Sequence, residues 1–253
     1  MPYLSKITLN TRRHDTLALL SNPHRLHATI LGGLTVQPVT ERVLWRLDRK
    51  TPHLAEVLVL TESRPSWQNL LQQADSPGGE ALIADYTPLL ERIVLGRDFA
   101  FRLRANPVQC LQQPIKPSEN QKMRMNAASD TQSRQRGFRV AYRTADQQIQ
   151  WLLTRAERHG FTIPTVETTP GIDFGIPSVP APAVSLIARE TLRFRKRSGS
   201  SPITLSTVTF QGQLRVTRPD DLRAALLKGI GPAKGYGQGL LTLAPLPKGT
   251  VTG

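Results

Sequence analysis

The sequence has little of several features that would narrow its function directly. Cys110 is the only cysteine among 253 residues, which excludes an internal disulfide framework and a CxxC metal site. Aromatic residues make up 6%, which argues against extensive stacking of nucleic-acid bases. No apolar run approaches the roughly 20 residues that a membrane span needs, and the first residues lack the pattern of a secretory signal. We therefore expect a cytoplasmic protein.

Positive charge is abundant, and it lies mainly in the second part of the chain. The sequence has 33 basic and 19 acidic residues, for a net charge of +14. Residues 1–100 contribute +1 and residues 101–253 contribute +13. Of the basic residues 25 are arginine, whose planar guanidinium group binds phosphate through two hydrogen bonds and stacks on bases. This asymmetry predicts that the second part binds a polyanion, most simply nucleic acid. Charge kept for solubility is the alternative.

Strand and helix patterns follow one another in an order that occurs twice. The first part contains strand patterns at 3–10, 42–49, 55–62 and 87–97 and helix patterns at 15–21, 23–31 and 66–74. The second part contains strand patterns at 99–108, 184–195, 203–216 and 239–244 and helix patterns at 146–158 and 219–228. Each part has the order β-α-β-β-α-β. The sequence thus predicts an α+β fold of two tandem ferredoxin-like domains, residues 1–97 and 98–253.

Two segments do not fit this repeat. Residues 112–137 are polar and basic, which is typical of a mobile loop. Residues 164–183 are rich in proline and glycine and are expected to be extended or mobile.

Two of the five histidines lie three residues apart at the start of a predicted helix. Asn22 is a favoured N-cap and Pro23 a favoured first helical residue, so His24 and His27 share one side of the first turns. A helix N-terminus attracts phosphate and keeps an imidazole neutral. Such an imidazole can take a proton from a ribose 2′-hydroxyl, whose oxygen then attacks the adjacent phosphorus without a metal. The spacing leaves catalysis, a structural role and a metal site open. Metal is the weakest, because a third ligand and an HExxH motif are missing.

A glycine-rich stretch near the C-terminus is the most distinctive local motif. Five glycines occur within residues 229–239. They follow a helix pattern and precede a strand pattern, the reverse of a dinucleotide-binding fingerprint, and no GxxxxGK[ST] motif is present. The stretch therefore predicts main-chain N–H groups that approach a phosphate chain, with a flexible turn as the alternative. The residues assigned to this contact are Gly231, Lys234, Gly235, Tyr236 and Gly237.

Taken together, these motifs resemble one known family. The stretch GIGPAKGYGQGLLTLAP (229–245) closely resembles the C-terminal glycine-rich motif of the CasE proteins, the type I-E CRISPR RNA-processing endoribonucleases. FRLRANPV (101–108) is similar to their central strand motif, and YLSKI (3–7) to their start. ENQK (119–122) and QIQWL (148–152) are similar to weaker family positions. The resemblance covers essentially the whole chain.

The resemblance implies an activity as well as a fold. It implies cleavage of the precursor CRISPR transcript at the 3′ base of each repeat hairpin, independent of metal and cofactor, leaving a 2′,3′-cyclic phosphate. It also implies that the product stays bound and that the protein joins the other Cascade subunits. In the family a first-helix histidine takes part in cleavage, often with a tyrosine three residues earlier. His27 matches the histidine position and His24 the tyrosine position, which leaves His24 to transfer protons or to orient RNA.

The basic second part suits a hairpin substrate, because base-paired RNA is recognised mainly through its shape, phosphates and 2′-hydroxyls. RFRKRSGSS (193–201) predicts a hairpin tip, with a solvated turn as the alternative. Two arginines share one strand face, where they bind RNA or pair with acids, and four more are predicted to form a patch. The candidate RNA contacts are Arg193, Arg195, Lys196 and Arg197 at the tip, Arg102 and Arg104 on the strand, and Arg139, Arg143, Arg155 and Arg158 in the patch.

Three other interpretations remain open. The first is a non-cleaving RNA-binding module of the same fold, although RNP-type aromatic signatures are missing. The second is a metal-dependent nuclease that uses His24 and His27 as ligands. The third is a basic structural protein of a ribonucleoprotein.

Overall fold

The first part of the chain forms a four-stranded antiparallel sheet in the order β2-β3-β1-β4. The computed structural model describes residues 1–74, 80–112, 122, 137–168 and 178–246. Alternating apolar residues of the sheet, such as Ile7 and Val57, pack against helices on one face. The elements are β1 (Tyr3–Asn10), α1 (His14–Ser21), α2 (Pro23–Leu31), β2 (Leu44–Thr51), β3 (Leu54–Thr61), α3 (Gln68–Gln73), β4 (Ala81–Asp85) and α4 (Thr87–Glu91).

The prediction that residues 87–97 close this sheet as a strand is wrong. The edge strand is β4, and the chain continues into the short helix α4, which has a proline in its first turn. Ile93 is fully buried, and Leu89 and Leu90 pack against the core of the second part. A short apolar run is compatible with a strand or with a buried helical segment, so its hydrophobicity alone did not distinguish the two.

The second part forms a sheet with an equivalent strand order, β11-β12-β5-β13, again antiparallel throughout. The fold is therefore mixed α+β, as expected. The elements are β5 (Asp98–Ala105), β6 (Val108–Leu111), β7 (Phe138–Ala141), α5 (Ala145–Arg158), β8 (Phe161–Thr162), β9 (Thr165–Thr168), β10 (Val179–Pro182), β11 (Val184–Phe194), β12 (Ile203–Val216), α6 (Pro219–Lys228), a 3₁₀ turn (Lys234–Tyr236) and β13 (Leu241–Ala244).

The two segments that did not fit the repeat connect short strand pairs. Strand β6 pairs with β7, so the ends of the predicted loop 112–137 lie side by side. Most of that loop, residues 113–121 and 123–136, lies outside the described residues. Strand β9 pairs with β10, so both ends of the segment 164–183 are extended, as predicted, while residues 169–177 lie outside the described residues.

Two apolar cores hold the chain together, and the second extends across both parts. The first core lies between the first sheet and helices α1–α3. The second lies between the second sheet and helices α5 and α6, and it also contains Leu44, Leu60, Tyr86 and Ile93 from the first part. The first sheet thus buries apolar side chains on both faces, which fixes the two parts against each other. Among the described residues, no helix combines the length and the apolar character needed to cross a membrane.

A buried arginine joins the two sheets directly. The Arg46 side chain on β2 is 3% exposed and donates to both carboxylate oxygens of Asp48 at 2.9–3.1 Å. Its Nη1 also donates to the main-chain carbonyl of Arg102 at 3.0 Å and to Oγ1 of Thr242 at 2.9 Å. Burying a charge is unfavourable unless it is paired and fully hydrogen-bonded. This network therefore favours the observed packing of the two sheets against each other.

Candidate functional site

The histidine pair lies at the N-terminus of helix α2, where the sequence predicts it. Oδ1 of Asn22 accepts hydrogen bonds from the main-chain N–H groups of His24 at 3.0 Å and Arg25 at 3.3 Å. Leu26 on the same helix is fully buried in the core. Both imidazoles are half-buried, so they lie at the boundary between core and surface, where a substrate can reach them.

The glycine-rich loop reaches across from the second part and packs against His27. A Cβ atom placed on Gly235 would lie 3.3 Å from Nε2 of His27, so the main chain of the loop borders the imidazole. At Gly237 the φ angle is +74°, and a Cβ atom would lie 2.6 Å from the indole ring of Trp45. Glycine is required at position 237 because the backbone there is left-handed and because a side chain would collide with Trp45.

Trp45 lies behind His27 and contacts it through a hydrogen bond. The indole Nε1 donates to Nδ1 of His27 at a distance of 3.2 Å. Trp45 is 2% exposed on strand β2, so both its ring and its N–H group are held in place. His27 is thus enclosed between Trp45 on one side and Gly235 on the other. Sequence analysis did not single out Trp45, because the residue is distant along the chain and belongs to no motif.

Cationic groups surround this histidine. Burial lowers the pKa of His27, and its electrostatic interactions with His24 and Arg42 lower it further. Burial and Arg42 also lower the pKa of Lys234. An exposed arginine and a half-buried lysine therefore lie beside a neutral imidazole, an arrangement that favours a bound anion. Arg42 was not among the predicted site residues, and no local sequence signal indicates it.

The predicted basic hairpin is confirmed, and its tip lies next to the histidine helix. Strands β11 and β12 pair along their length. Nδ2 of Asn22 donates to the main-chain carbonyl of Arg195 at 3.1 Å. The ring of Phe194 contacts that of Tyr236 edge to face, with centroids 4.9 Å apart. The hairpin, the glycine-rich loop and helix α2 therefore meet at one place. The exposed basic side chains at the tip are Arg193, Arg195, Lys196 and Arg197.

The C-terminal end of helix α5 brings two of the predicted arginines to the same region. The guanidinium of Arg155 lies 5.3 Å from the ring centroid of Trp151. A Cβ atom on Gly231 would lie 3.0 Å from that indole. Burial lowers the pKa of His159 at the end of this helix, and the charges of Arg155, Lys234 and Arg158 contribute. These arginines therefore lie near Lys234 of the glycine-rich loop.

The other two arginines of the predicted patch lie elsewhere. Arg139 is on strand β7, and Arg143 directly precedes the N-cap of helix α5. Because a helix rises about 1.5 Å per residue, Arg143 lies about 18 Å from Arg155 along the helix axis. The prediction of one patch is therefore wrong. The side chains form two groups at opposite ends of the helix, because two of them come before its first turn and two belong to its last. Arg139, Arg143 and Arg158 are exposed, and Arg155 is half-buried.

The strand arginines are engaged by the protein itself. Arg104 is 8% exposed and donates to the main-chain carbonyl of Leu47 at 3.0 Å and to the carboxylate of Glu190 at 2.6 Å. Arg102 donates to Oε1 of Gln211 at 2.5 Å and lies 3.7 Å from Asp48. The sequence left RNA binding and pairing with acids open for these two arginines. The structure shows them beside acids, Arg104 with Glu190 and Arg102 with Asp48.

The site offers imidazole groups, a lysine, arginines and main-chain N–H groups around one position. These groups can bind a phosphodiester, transfer a proton and stabilise negative charge. In the described parts of the chain, no three His, Cys, Asp or Glu side chains are grouped so that they could hold a metal ion.

Comparisons with known proteins place the chain among CRISPR proteins. A family model described as "CRISPR associated protein" matches residues 2–245. The curated CRISPR-associated endoribonuclease Cse3 of Thermus thermophilus is 29% identical over 251 residues, which cover 96% of this chain and 100% of the relative.

Two solved structures are similar to this chain over most of its length. Thermus thermophilus Cse3 bound to an RNA representing a pre-cleavage complex matches with a TM-score of 0.71 and 28% identity, covering 96% of this chain and 99% of the other. A chain of a CRISPR RNA-guided surveillance complex in a pre-nicking state matches with a TM-score of 0.55 and 19% identity, covering 96% of this chain and 100% of the other. At that identity the second match shows a common fold only.

Proposed function

The chain belongs to the CRISPR associated protein family, and we propose that it is a metal-independent endoribonuclease that cleaves precursor CRISPR RNA at the 3′ base of its repeat hairpins. One observation carries this proposal. His27, enclosed between Trp45 and Gly235, is kept neutral at the centre of a cationic surface formed by three separate elements. Thermus thermophilus Cse3, similar over nearly the whole chain, is an endoribonuclease.

The proposed reaction is an internal transfer of the phosphodiester. The ribose 2′-oxygen forms a bond to the adjacent phosphorus, and the bond from phosphorus to the 5′-oxygen breaks. The 2′-hydroxyl loses a proton and the leaving 5′-oxygen gains one, so the products are a 2′,3′-cyclic phosphate and a 5′-hydroxyl. His24 and His27 together supply the proton transfer and the stabilisation of negative charge. Lys234 and the main-chain N–H groups of Gly235 and its neighbours hold the phosphate.

The RNA-binding surface extends from this site along the second part of the chain. The hairpin tip and the C-terminal end of helix α5 contact phosphates of the stem, while Arg139 and Arg143 contact the RNA further away. Such contacts read the shape and backbone of a duplex rather than its bases. Arg102 and Arg104 join the sheets instead. Support comes from Thermus thermophilus Cse3, whose structure was determined with bound RNA.

The same proposal covers domains and partners. We assign residues 1–97 and 98–253 to tandem ferredoxin-like domains, because four strands follow an equivalent order in each sheet; the second sheet contains β8 as a fifth strand, paired with β12. After cleavage the protein stays on the hairpin and joins the other Cascade subunits in the cytoplasm, and it needs no cofactor. Support comes from the common fold with a chain of a CRISPR RNA-guided surveillance complex.

The test is a cleavage assay with a labelled repeat hairpin of the host in excess chelator, followed by mapping of the product ends. We expect one cut and a cyclic phosphate. His27→Ala should bind the hairpin as tightly as the wild type but cleave it at least about 10²-fold more slowly. His14→Ala is the matched control, because the side chain of His14 is 94% exposed on α1. Binding without a cut would indicate a non-catalytic RNA-binding subunit, and loss of cleavage in chelator would indicate a metal-dependent nuclease.

A further inference from the structure

We propose that Trp45 is a positioning residue that fixes the tautomer of His27, so that His27 acts as a neutral hydrogen-bond donor to the phosphate and His24 accepts the proton of the 2′-hydroxyl. The inference deepens the proposed function and rests on it. It assigns different catalytic roles to His24 and His27, which their spacing in the sequence does not distinguish.

The first step of the argument is the direction of one hydrogen bond. An indole N–H can only donate, and Nε1 of Trp45 lies 3.2 Å from Nδ1 of His27. Nδ1 must therefore carry a lone pair and no proton. In a neutral imidazole the single proton is then on Nε2. Because Trp45 is buried on a strand, it cannot turn away to accommodate the other tautomer without disturbing the core.

The second step is the charge around the ring. The groups that face His27 are His24 on its own helix, Arg42 before strand β2, Trp45 on that strand, and Gly235 beside Lys234 on the glycine-rich loop. The permanent cations among these groups are Arg42 and Lys234. Burial is the main cause that lowers the pKa of His27, and the charge of Arg42 adds to it. An imidazolium would also place an N–H group of His27 against the N–H group of Trp45. Both effects favour the neutral ring.

These two steps determine what His27 can do. Its only lone pair is occupied by Trp45, so the ring has no free position for a proton from the 2′-hydroxyl. Its Nε2–H lies at the edge bordered by Gly235, where it can donate to a non-bridging phosphate oxygen as negative charge develops there. His27 therefore keeps its proton throughout the reaction.

His24 is then the available base. In the described residues its imidazole forms no side-chain hydrogen bond, so a lone pair is free. The 2′-hydroxyl proton passes to His24 as the bond from the 2′-oxygen to phosphorus forms. The bond to the 5′-oxygen breaks, that oxygen takes a proton from water, and His24 returns its proton to the hydroxide produced.

The direct test is the ¹⁵N NMR spectrum of the histidine rings in the free protein, with His27 assigned by its loss in His27→Gln. We expect a protonated Nε2 and an unprotonated Nδ1 in the wild type. Trp45→Phe should give a mixture of tautomers and a higher pKa for His27. Trp67→Phe is the matched control, because Trp67 is 3% exposed in the same core and its Nε1 has no partner among the described residues. A protonated Nδ1 in the wild type, or an unchanged spectrum in Trp45→Phe, would overturn the proposal.

Two rate measurements test the assigned role. His27→Gln carries an N–H donor close to the position of Nε2 but transfers no proton, so it should cleave about tenfold faster than His27→Ala. Equal rates for these variants would overturn the donor role. Trp45→Phe should cleave about three- to tenfold more slowly, because a fraction of its His27 rings then carries the proton on Nδ1 and cannot donate from Nε2. A wild-type rate in Trp45→Phe would contradict the proposal.

The measurements remain informative if one variant fails. Should Trp45→Phe not fold, the wild-type spectrum and the His27→Gln comparison still decide the question. A wild type that does not cleave hairpins would refute the proposed function, while the NMR tautomer would still report on Trp45.

Discussion

Asn22 and Arg195 connect the start of the histidine helix to the tip of the basic hairpin. Nδ2 of Asn22 donates to the main-chain carbonyl of Arg195 at 3.1 Å, while Oδ1 of the same side chain caps helix α2. One amide therefore sets the orientation of His24 and His27 relative to a surface that we expect to bind RNA. The Asn22 side chain thus connects two elements that are distant in the sequence.

The two functions of Asn22 can be separated by substitution. Asn22→Ser keeps an oxygen that caps the helix but removes the amide donor, so it should retain stability and weaken hairpin binding about three- to tenfold. Asn22→Ala should in addition lower the free energy of unfolding by about 1 kcal/mol. Binding titrations and urea unfolding measure the two effects. Wild-type affinity in Asn22→Ser would show that the contact with Arg195 does not position the hairpin.

The Arg46 network should make a large contribution to stability. Arg46→Met leaves the carboxylate of Asp48, 10% exposed, without its main partner. We expect a loss of about 3 kcal/mol in the free energy of unfolding, because the buried carboxylate loses its hydrogen-bonded partner and, among the described residues, keeps only Arg102 at 3.7 Å. Arg215→Met is the control, since the Arg215 side chain is 56% exposed in its pair with Asp98, and such pairs contribute less than about 1 kcal/mol. Similar losses in both variants would refute the role of burial.

A methyl group on Gly235 should affect cleavage more than stability. The added Cβ would lie 3.3 Å from Nε2 of His27, so the ring or the loop must shift by a few tenths of an ångström. Because small displacements at a reacting centre have large effects on rate, we expect Gly235→Ala to cleave about tenfold more slowly with unchanged hairpin affinity. Gly32→Ala is the control, since its Cβ has no neighbour closer than 3.4 Å. An unaffected rate would place the phosphate elsewhere.

Salt should weaken RNA binding in proportion to the phosphates that the protein neutralises. Replacing Arg195, Lys196 and Arg197 with alanine should reduce affinity and lower the slope of log affinity against log salt by about 0.7–0.9 per lost phosphate contact. Arg215→Ala removes a cation at the opposite end of strand β12 and should leave the slope unchanged. Filter binding at several salt concentrations measures this slope. Equal slopes for the triple variant and the wild type would exclude the tip as a phosphate-binding surface.

Acid should destabilise the fold through its half-buried histidines. Burial lowers the pKa of His27 and of His159 below 6.5 in the folded state. The unfolded chain therefore binds protons first, so the stabilising contribution is complete above pH 6.5 and is lost as the pH falls through the lowered folded-state values. His27→Gln should reduce the dependence of the free energy of unfolding on pH between 7.5 and 5. His14→Gln, at an exposed position, should not, and an unaltered dependence in His27→Gln would contradict the assignment.

Local structure was predictable where it depends on neighbouring residues. Asn22 caps α2 and Thr144 forms a capping box with Gln147 on α5, because such caps need only contacts within one turn. The basic hairpin, the first three strands of the first part and the four main strands of the second part also followed from periodicity. The family resemblance of the glycine-rich motif was confirmed by a family model that matches residues 2–245.

The failures concern segments whose hydrophobicity does not determine their partner. Residues 87–97 form a short helix and a connection because Leu89, Leu90 and Ile93 face the second core and not a sheet. The arginine patch separated into two groups because a helix of 14 residues lies between its members. Neither outcome can be predicted from the local pattern of apolar and basic residues.

The sequence by itself determined that the chain is basic in its second part, that it is α+β, and that two histidines begin a capped helix. It did so because charge, periodicity and capping act over a few residues. Only the tertiary structure decided that Trp45 donates to His27, that Gly235 borders its other edge and that Arg42 lowers its pKa. These contacts join residues from separate elements, and packing of the two sheets through a shared core brings them together.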